Sequence, residues 1–360
     1  MARIVLSIIL SYAFITIMAC PAHAHGTSPM KKKFPAVLVF GDSTVDTGNN
    51  NYIDTMLKAD HPPYGVDYPD YEATGRFSDG RLMPDMLVSE LGIKESLPPF
   101  LNPLLSDDEI KTGVNFASAG SGIDDLTTVA TGVIPVSRQL SMFKNYITRL
   151  KSIISDQEAN KTISNALILI SAGTNDFIFN WYDIPSRRWQ FHNISGYQDF
   201  LLQKLRNQLE QLYHLGGRKF IVPGLAPIGC IPFQITTKFK KPLQRVCIEE
   251  QNLDATIYNA KLKNLLPEIQ SWLPGSRFVY AGVYDPVADM VNHPEKYGFV
   301  DTKRGCCGTG FLEIGPLCNI HTATCKDASK FLYWDAVHPT EATYKVLSKH
   351  LLELLLARPL

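Results

Sequence analysis

The chain lacks an excess of either charge. Its 360 residues contain 35 Lys and Arg against 35 Asp and Glu, so the formal net charge is zero. No basic stripe interleaved with aromatic residues occurs in the sequence. Proteins that bind nucleic acids or acidic membranes usually carry such a positive surface. The sequence therefore predicts no nucleic-acid partner, and its hydrophobic share of 45% is typical of a globular protein.

Long apolar runs are also scarce, and the one notable run lies at the N-terminus. Arg3 precedes an apolar stretch over residues 5–19, and Ala22-His23-Ala24 forms a small-x-small cleavage site. This order predicts a signal peptide over 1–24, its cleavage and secretion. An N-terminal membrane anchor is the alternative, but the stretch is short for a span and no stop-transfer charge cluster follows it. No second segment predicts a membrane span.

Cysteine is sparse, and its count becomes even once the predicted signal peptide leaves. Cys20 belongs to that peptide, so six of the seven cysteines remain. An oxidising compartment favours disulfides, and the neighbours Cys230 and Cys247 are expected to bridge locally. The other four are expected to form two more bridges without an adjacent-residue bond, which would be strained: Cys306, Cys307, Cys318 and Cys325. A less favoured alternative is a zinc site formed by Cys306, Cys318, His321 and Cys325.

Two glycosylation sequons are compatible with secretion. Asn160-Lys161-Thr162 and Asn193-Ile194-Ser195 predict glycans on Asn160 and Asn193. Such triplets also occur by chance, so they carry little weight alone.

Short apolar runs alternate with segments of helical periodicity. Continuous runs typical of strands buried in a parallel sheet cover 36–40, 166–170, 220–222 and 278–280, with a shorter candidate at 114–117. Helical patterns cover 82–91, entered by Asp79-Gly80, and 139–153, 197–215, 255–266 and 340–355. Strands that alternate with helices predict a parallel α/β sheet covered on both sides. Because no repeat or linker interrupts this pattern, we expect one domain over 34–356.

Residues suited to acyl transfer lie near both ends of this region. Ser43 directly follows the first apolar run, and Asp335 and His338 lie three positions apart before the last predicted helix. A serine hydrolase needs a hydroxyl, a base that accepts its proton and a carboxylate that orients the base. Taken singly, Ser43 would be interpreted as a turn or N-cap residue. An Asp-x-x-His pair is commonly an exposed surface pair without a function or a helix N-cap.

Two further loops follow predicted strands and strengthen the hypothesis. Residues 115–122 are rich in small side chains, so their backbone N–H groups can approach a substrate oxygen. Residues 171–176 contain Asn175, whose amide is suited to donate to an oxyanion. In a parallel sheet such loops meet beyond the carboxyl ends of the strands. Four loops with acyl-transfer groups favour an active site over four independent turns.

The ordered motifs resemble those of plant secreted GDSL esterase/lipases of the SGNH hydrolase superfamily. The resemblance covers essentially the whole mature chain. It rests on Phe-Gly-Asp-Ser at 40–43, Asp-Thr-Gly-Asn-Asn at 46–50, Gly-Arg-Phe-Ser-Asp-Gly at 75–80, the loop 115–120, Gly-Thr-Asn-Asp at 173–176, Leu-Ala-Pro-Ile-Gly-Cys at 225–230, Arg-Gly-Cys-Cys-Gly at 304–308 and Asp-Ala-Val-His-Pro at 335–339. It implies a three-layer αβα sandwich with a central, mostly parallel sheet, and a cell-wall carboxylic-ester hydrolase without a cofactor.

The resemblance also implies residue roles. Ser43 would be the nucleophile, His338 the general base and Asp335 the group that orients the imidazole. The oxyanion hole would comprise the backbone N–H groups of Ser43 and Gly120 with the Asn175 side chain, and Gly122 competes for the glycine position. The sequence departs from the usual family pattern without losing a catalytic group, at Thr44 in place of Leu, Asp79 in place of Asn and Ile228 in place of Leu.

Other functions remain as alternatives. The α/β-hydrolase signature Gly-x-Ser-x-Gly is absent, which disfavours that fold. The same acyl-enzyme could pass its acyl group to an alcohol, as in a polyester-forming transesterase. A non-catalytic secreted binding protein would be expected to lose Ser43, Asp335 or His338. A metal hydrolase using Asp42, Asp46, Asp335 and His338 lacks metal-ligand spacing.

The natural substrate is the least defined feature. The resemblance spans esters of lipids, cutin-type polymers and acetylated polymers, and we expect a monomer. Some aromatic residues are candidates to line a pocket, although most are expected to pack in the core or in loops: Tyr64, Tyr68, Phe77, Trp181, Tyr182 and Trp189.

Overall fold

The computed structural model of the chain describes residues 34–184, 186–238, 244–357 and 360. The predicted signal peptide over 1–24, with Cys20, lies outside the described residues.

Four parallel strands form the central sheet. They are β1 (Val37–Gly41), β2 (Leu167–Ser171), β3 (Lys219–Pro223) and β4 (Arg277–Ala281), and they neighbour each other in that order. Val37 pairs with Leu167, and Lys219 pairs with both Leu167 and Arg277. The four apolar runs predicted as strands coincide with these elements to within one residue at each end, so this prediction is confirmed.

Both faces of the sheet are buried, which explains why its strands are continuously apolar. Successive side chains of a strand point to opposite faces. On β1, Leu38 and Phe40 join one buried cluster, whereas Val37 and Val39 join another. A parallel sheet covered on both sides needs apolar residues at every strand position. The three-layer αβα arrangement implied by the family resemblance is confirmed.

Helices form the two outer layers. They are α1 (Met83–Glu90), α2 (Asp107–Thr112), α3 (Val136–Ile153), α4 (Asp156–Asn165), α5 (Thr174–Phe177), α6 (Ile194–His214), α7 (Pro232–Thr237), α8 (Glu249–Trp272), α9 (Tyr284–Asn292), α10 (Pro294–Tyr297) and α11 (Glu341–Ala357). Helices α3, α4, α6 and α8 pack on one face, and α1 and α11 on the other. The predicted helices are confirmed, with differences at their ends.

Helix α8 is longer than the predicted segment 255–266. It continues past Pro267 to Trp272, although an internal proline removes a backbone hydrogen bond. Ile269 lies beyond the proline and is fully buried in the same cluster as Leu262. Continued packing of this face therefore outweighs the cost of the proline.

The predicted entry of the first helix at Asp79-Gly80 was wrong. Helix α1 begins at Met83, and Leu82 precedes it as the N-cap residue. The carboxylate of Asp79 instead accepts the Glu341 backbone N–H at the start of α11, at 2.8 Å. The side chain that looked like a local cap thus binds an element at the other end of the chain.

The predicted short strand at 114–117 is not a regular strand. The segment lies beside β1 and exchanges backbone hydrogen bonds with it, including the Phe116 N–H to the Val39 carbonyl at 2.7 Å. On its other side, the Asn49 amide donates to the carbonyls of Asn115 and Ala117. Backbone groups of residues 98–100 also bind Asn115 on this side, so the segment forms isolated parallel bridges with both neighbours rather than a regular strand.

Near the C-terminus, a small parallel pair formed by β5 (Asp301–Gly305) and β6 (Phe331–Tyr333) was not predicted.

The expected local bridge Cys230–Cys247 is present. The other bridges are Cys306–Cys325 and Cys307–Cys318, so the adjacent cysteines pair elsewhere as expected.

Among the described helices, none combines the length and apolar character needed to cross a membrane.

Candidate active site

Ser43 lies in a tight turn at the carboxyl end of β1. The preceding Gly41 has φ +141°, and a Cβ there would lie 1.9 Å from the Ser171 carbonyl oxygen of β2. Only glycine allows this close approach. The Gln139 side chain of α3 binds both backbone groups of Gly41, at 2.9 and 2.8 Å. Sequence analysis did not single out Gln139, because its contact is 98 residues away along the chain.

The structure brings Ser43, His338 and Asp335 into one hydrogen-bond chain. His338 Nε2 lies 2.8 Å from Ser43 Oγ, and His338 Nδ1 lies 2.7 Å from Asp335 Oδ2. The three side chains are buried, and Asp335 is fully inaccessible. Because carboxylate oxygens accept, the Nδ1–H faces Asp335 and leaves Nε2 free to accept a proton. The arrangement can therefore remove the serine proton during nucleophilic attack.

The Asp335 carboxylate is surrounded by further donors. Its Oδ1 accepts the backbone N–H groups of Val337 and His338 at 2.8 and 2.7 Å. Its Oδ2 accepts the Tyr64 hydroxyl at 2.8 Å. Burial, and then the charge of Asp335, raises the pKa of Tyr64 well above its usual value, so this hydroxyl stays a donor. The same hydroxyl oxygen accepts the Gly315 N–H at 2.8 Å.

His338 is held by both its backbone and its ring. Its carbonyl accepts the Trp334 N–H at 2.7 Å, which closes the loop between β6 and α11. The Phe77 ring lies 4.8 Å from the imidazole, centroid to centroid. These contacts fix the ring orientation that its hydrogen bonds to Ser43 and Asp335 require.

A cavity of about 80 Å³ opens beside this hydrogen-bond chain and brings the predicted oxyanion groups together. Ser43, Gly120, Asn175 and His338 all line it. Its other walls are mainly apolar, formed by Leu57, Phe77, Ala119, Ile178, Phe179, Phe233, Ile314 and Val337. We call it the Ser43 pocket. Asn175 Nδ2 also donates to the Ser121 carbonyl at 2.9 Å, which orients the amide and uses one of its two N–H groups.

The two candidate glycines occupy different places. Gly120 has φ +84° and lines the Ser43 pocket. Gly122 does not line that pocket, and a Cβ on it would lie 2.4 Å from Asp176 Oδ1. Of the two candidate glycines, Gly120 is therefore the one that lies at the Ser43 pocket.

Two buried carboxylates hold the loop that carries Gly120. Asp46 accepts the Ala119 N–H at 2.9 Å, and Asp176 accepts the N–H groups of Ile123 and Asp124, also at 2.9 Å. Burial raises the pKa of Asp46 to about 6 and that of Asp176 to about 7. Sequence analysis named Asp46 in a family motif and as a possible metal ligand, and Asp176 in a motif, but predicted no contact of either with the Gly120 loop.

The predicted metal alternatives are not supported by the positions of their residues. Cys306, Cys318 and Cys325 are all in disulfides, which removes them as zinc ligands. Within the described part of the chain, no three His, Cys, Asp or Glu side chains are grouped to hold a metal. Asp42, a member of the other metal set, accepts hydrogen bonds from the Thr44 hydroxyl and N–H.

The candidate aromatic residues have different surroundings. Phe77 lines the Ser43 pocket, and Tyr64 is buried behind Asp335. Trp181 and Tyr182 line a separate open groove of about 710 Å³ that no residue of the Ser43–His338–Asp335 chain lines. Trp189 is 89% exposed. Tyr68 contacts the Arg76 guanidinium, 4.8 Å from its ring centroid.

A serine, an imidazole and a carboxylate linked at the carboxyl edge of a parallel sheet are typical of hydrolytic enzymes that act on acyl groups. Residues 37–351 match the sequence model of the GDSL-like Lipase/Acylhydrolase family, and the chain belongs to this family. It is a carboxylic-ester hydrolase.

Named relatives extend over nearly the whole chain. GDSL esterase/lipase At2g31540 of Arabidopsis thaliana is 53% identical over 342 residues, which cover 95% of each protein. GDSL esterase/lipase At2g24560 of the same plant is 55% identical over 334 residues, 92% of this chain and 91% of the relative. GDSL esterase/lipase At2g30220 is 54% identical over 332 residues, 92% of each.

Proposed function

We propose that this ester hydrolase works through an acyl-enzyme on Ser43, with His338 as general base and Asp335 as the residue that orients it. The observation that carries the proposal is the unbroken hydrogen-bond chain from Ser43 Oγ through His338 to Asp335, at 2.8 and 2.7 Å. The proposed catalytic unit is the domain over 34–356, acting as a monomer.

In the first step, His338 Nε2 accepts the Ser43 proton as Oγ attacks the ester carbonyl. The carbonyl oxygen becomes an oxyanion, which accepts hydrogen bonds from the N–H groups of Ser43 and Gly120 and from the Asn175 amide. His338 then protonates the leaving alcohol. Water repeats the sequence on the acyl-enzyme and releases the acid. A positioned base contributes about 10²–10⁴-fold to such a reaction, and one oxyanion donor about 2.7–4 kcal/mol.

The proposed substrates are acyl esters of lipids or of wall polymers such as cutin or acetylated chains. The apolar walls of the Ser43 pocket support an acyl group there, because burial of its chain is favourable. Secretion after cleavage of residues 1–24 is part of the proposal. It is supported by the disulfides and by the exposure of Asn160 and Asn193, the proposed glycan sites.

The test combines a covalent probe with steady-state kinetics. A fluorophosphonate should label the wild type at Ser43, and Ser43→Ala should lose both labelling and aryl-ester hydrolysis. Ser152→Ala, which changes an exposed serine on α3, is the matched control and should keep both. Labelling of Ser43→Ala at the wild-type rate would refute the assignment of the nucleophile.

The oxyanion role of Asn175 is tested in the same assay. Asn175→Ala should lower kcat about 10²–10³-fold, as loss of one donor does elsewhere, with a much smaller change in KM. An unchanged kcat would remove Asn175 from the proposed oxyanion hole.

A further inference from the structure

Ser121 connects the three segments that carry the proposed oxyanion donors. It directly follows Gly120 and is fully inaccessible to solvent. The donors come from the turn after β1 that carries Ser43, the loop of Gly120 and the turn after β2 that carries Asn175. Each donor stabilises an oxyanion only when it lies about 2.7–3.1 Å from that oxygen. The relative positions of the three segments therefore matter for catalysis.

The side chain of Ser121 binds the turn that carries Ser43. Its hydroxyl donates to the carbonyl of Gly41, two residues before Ser43, at 2.6 Å. The same carbonyl also accepts the Ser118 N–H at 3.1 Å and Gln139 Nε2 at 2.8 Å. The serine hydroxyl thus joins its own loop to the Ser43 turn, and the carbonyl keeps two other donors without it.

The backbone carbonyl of Ser121 binds the third segment. It accepts Asn175 Nδ2 at 2.9 Å. An asparagine amide has two N–H groups, so this contact orients the amide and leaves its second N–H for an oxyanion. Ser121 therefore contacts both the Ser43 turn and the Asn175 side chain.

The backbone N–H of Ser121 closes a turn around Gly120. It donates to the Ser118 carbonyl at 3.1 Å, so Gly120 is the third residue of a four-residue turn. Its φ of +84° is close to the value that a type II turn requires at this position, which favours glycine. The Gly120 N–H is not part of the closing hydrogen bond, and it has no backbone acceptor among the described residues. The turn therefore leaves this N–H available at the Ser43 pocket.

We propose that Ser121 is a positioning residue, which sets the spacing of the oxyanion donors through its hydroxyl, its carbonyl and its N–H. The inference rests on the proposed oxyanion hole and extends it. Ser121 does not itself line the Ser43 pocket, so it acts on the substrate only through these neighbours. The hydroxyl is the part that a substitution removes, because the backbone makes the two other contacts.

Ser121→Ala should lower kcat for an aryl ester about fivefold, as the loss of one net hydrogen bond predicts, with a much smaller change in KM. The matched control is Ser276→Ala. The Ser276 hydroxyl is also buried and donates to a backbone carbonyl, that of Leu273, at 2.7 Å. That carbonyl likewise keeps a second donor, the Ser276 N–H. Ser276 directly precedes β4, at the end of the strand away from the carboxyl edge, so this variant should keep the wild-type kcat.

A tetrahedral probe separates positioning from a general loss of structure. When 1,1,1-trifluoro-2-butanone binds covalently, Ser43 Oγ adds to its carbonyl carbon, the serine proton passes to His338 and the carbonyl oxygen becomes an oxyanion. The affinity for this ketone should fall in Ser121→Ala by about the same factor as kcat, and it should stay at the wild-type value in Ser276→Ala. A wild-type value of either quantity in Ser121→Ala, or equal losses in the two variants, would overturn the proposal.

The double variant with Asn175→Ala tests whether Ser121 acts through the oxyanion donors. In that background Ser121→Ala should lower kcat only about twofold, because residues of one hydrogen-bond network are not additive. A full fivefold loss there would show independent effects and would overturn the proposal.

The same set of variants separates this inference from the proposed function. If Asn175→Ala alone keeps the wild-type kcat, the proposed oxyanion hole is refuted and the role of Ser121 with it. If Asn175→Ala loses kcat as expected while Ser121→Ala behaves like Ser276→Ala, the oxyanion hole stands and only the role of Ser121 is refuted.

Discussion

Tyr64 and His338 share one oxygen of Asp335. The Tyr64 hydroxyl and the His338 Nδ1–H both point to Oδ2, at 2.8 and 2.7 Å. The tyrosine hydroxyl thus binds the same carboxylate oxygen that faces the imidazole. We expect Tyr64 to act as a positioning residue through Asp335.

Tyr64→Phe should slow catalysis, because the Asp335 carboxylate loses a donor that fixes its position. The Gly315 N–H also loses its acceptor, and we expect kcat to fall about fivefold, as for one net hydrogen bond, with a smaller change in KM. The measurement is steady-state hydrolysis of an aryl ester. Tyr71→Phe, at an 80% exposed tyrosine, is the control. A kcat of Tyr64→Phe equal to that of wild type would exclude this role.

Single residues of the site differ in how visible they are in the sequence. Ser43, Asp335 and His338 stand next to predicted elements and inside short motifs, so their proximity was expected. Tyr64 and Gln139 act through partners that are 271 and 98 residues away. No local pattern marks such a contact, because it depends on how the layers pack.

At the scale of elements, one disulfide-closed loop forms part of the site. Cys307 and Cys318 enclose a segment that supplies Ile314 to the Ser43 pocket and the Gly315 N–H to Tyr64. In the same segment, the Glu313 carbonyl accepts the Ala336 N–H at 2.9 Å. This hydrogen bond stabilises the loop before His338. The disulfide therefore restrains both a wall of the Ser43 pocket and the segment that contacts the loop before His338.

Replacement of both cysteines, Cys307→Ala with Cys318→Ala, should lower stability and activity together. A bridge that closes a loop of this size contributes about 3 kcal/mol in the chain-entropy description. The matched control is Cys230→Ala with Cys247→Ala, which opens a loop of similar separation, 17 against 11 residues. Neither cysteine of that pair lines the Ser43 pocket. Melting temperatures should fall in both variants, whereas kcat/KM well below melting should fall further in the first. Equal losses of kcat/KM would contradict a role of this loop in the site.

Helices and strands match the sequence prediction where the local hydrophobic pattern agrees with the tertiary packing. The buried strands are one example, and the leucine face of α6 is another. In both, the residues that form the apolar pattern in the sequence are the residues that are buried in the structure. On α6 these residues are Leu201, Leu205, Leu209 and Leu212. The β5–β6 pair escaped prediction because Asp-Thr-Lys-Arg-Gly at 301–305 has no apolar alternation. The predicted helix covered 255–266, and tertiary packing carried α8 beyond Pro267 to Trp272.

Across the whole molecule, buried carboxyl groups join distant segments near the site. Asp46 connects the Ser43 turn to the Gly120 loop, and Asp176 connects the Asn175 turn to residues 123 and 124. Asp79 connects its own loop to the start of α11, just after His338. Short polar side chains in the interior thus set how the loops around the Ser43 pocket lie relative to one another, and this information is not local in the sequence.

These carboxyl groups predict that the protein loses stability as the pH rises from 5 to 8. Burial raises the pKa of Asp46 to about 6 and that of Asp176 to about 7. Burial, helped by the nearby Asp67 charge, also raises the pKa of Asp79 to about 7. In the unfolded chain such groups lose their protons near pH 4. The folded protein therefore binds more protons across this interval, and its free energy of unfolding falls with increasing pH.

The pKa of Glu313 is shifted in the opposite direction, but this shift does not offset the loss of stability between pH 5 and pH 8. Burial opposes the shift, yet hydrogen bonds from Thr309 and the adjacent backbone lower the pKa of Glu313 to about 2. The stability that it contributes is present above its unfolded pKa and is lost only in more acidic solution, below the interval from pH 5 to 8.

Asp79→Asn isolates one part of this pH dependence, because asparagine keeps an oxygen that can accept the Glu341 N–H but has no proton to lose. Thermal melts at constant ionic strength should give wild-type melting temperatures that fall by several degrees from pH 5 to pH 8. The variant should show a shallower slope and a higher melting temperature than wild type at pH 8. Its advantage should disappear near pH 5, where Asp79 is protonated in the folded protein. A wild-type melting temperature that is constant or rises over this interval would mean that these carboxyl groups are not protonated in the folded state. A variant with an unaltered slope would assign the trend to Asp46 and Asp176, the two groups that hold the Gly120 loop.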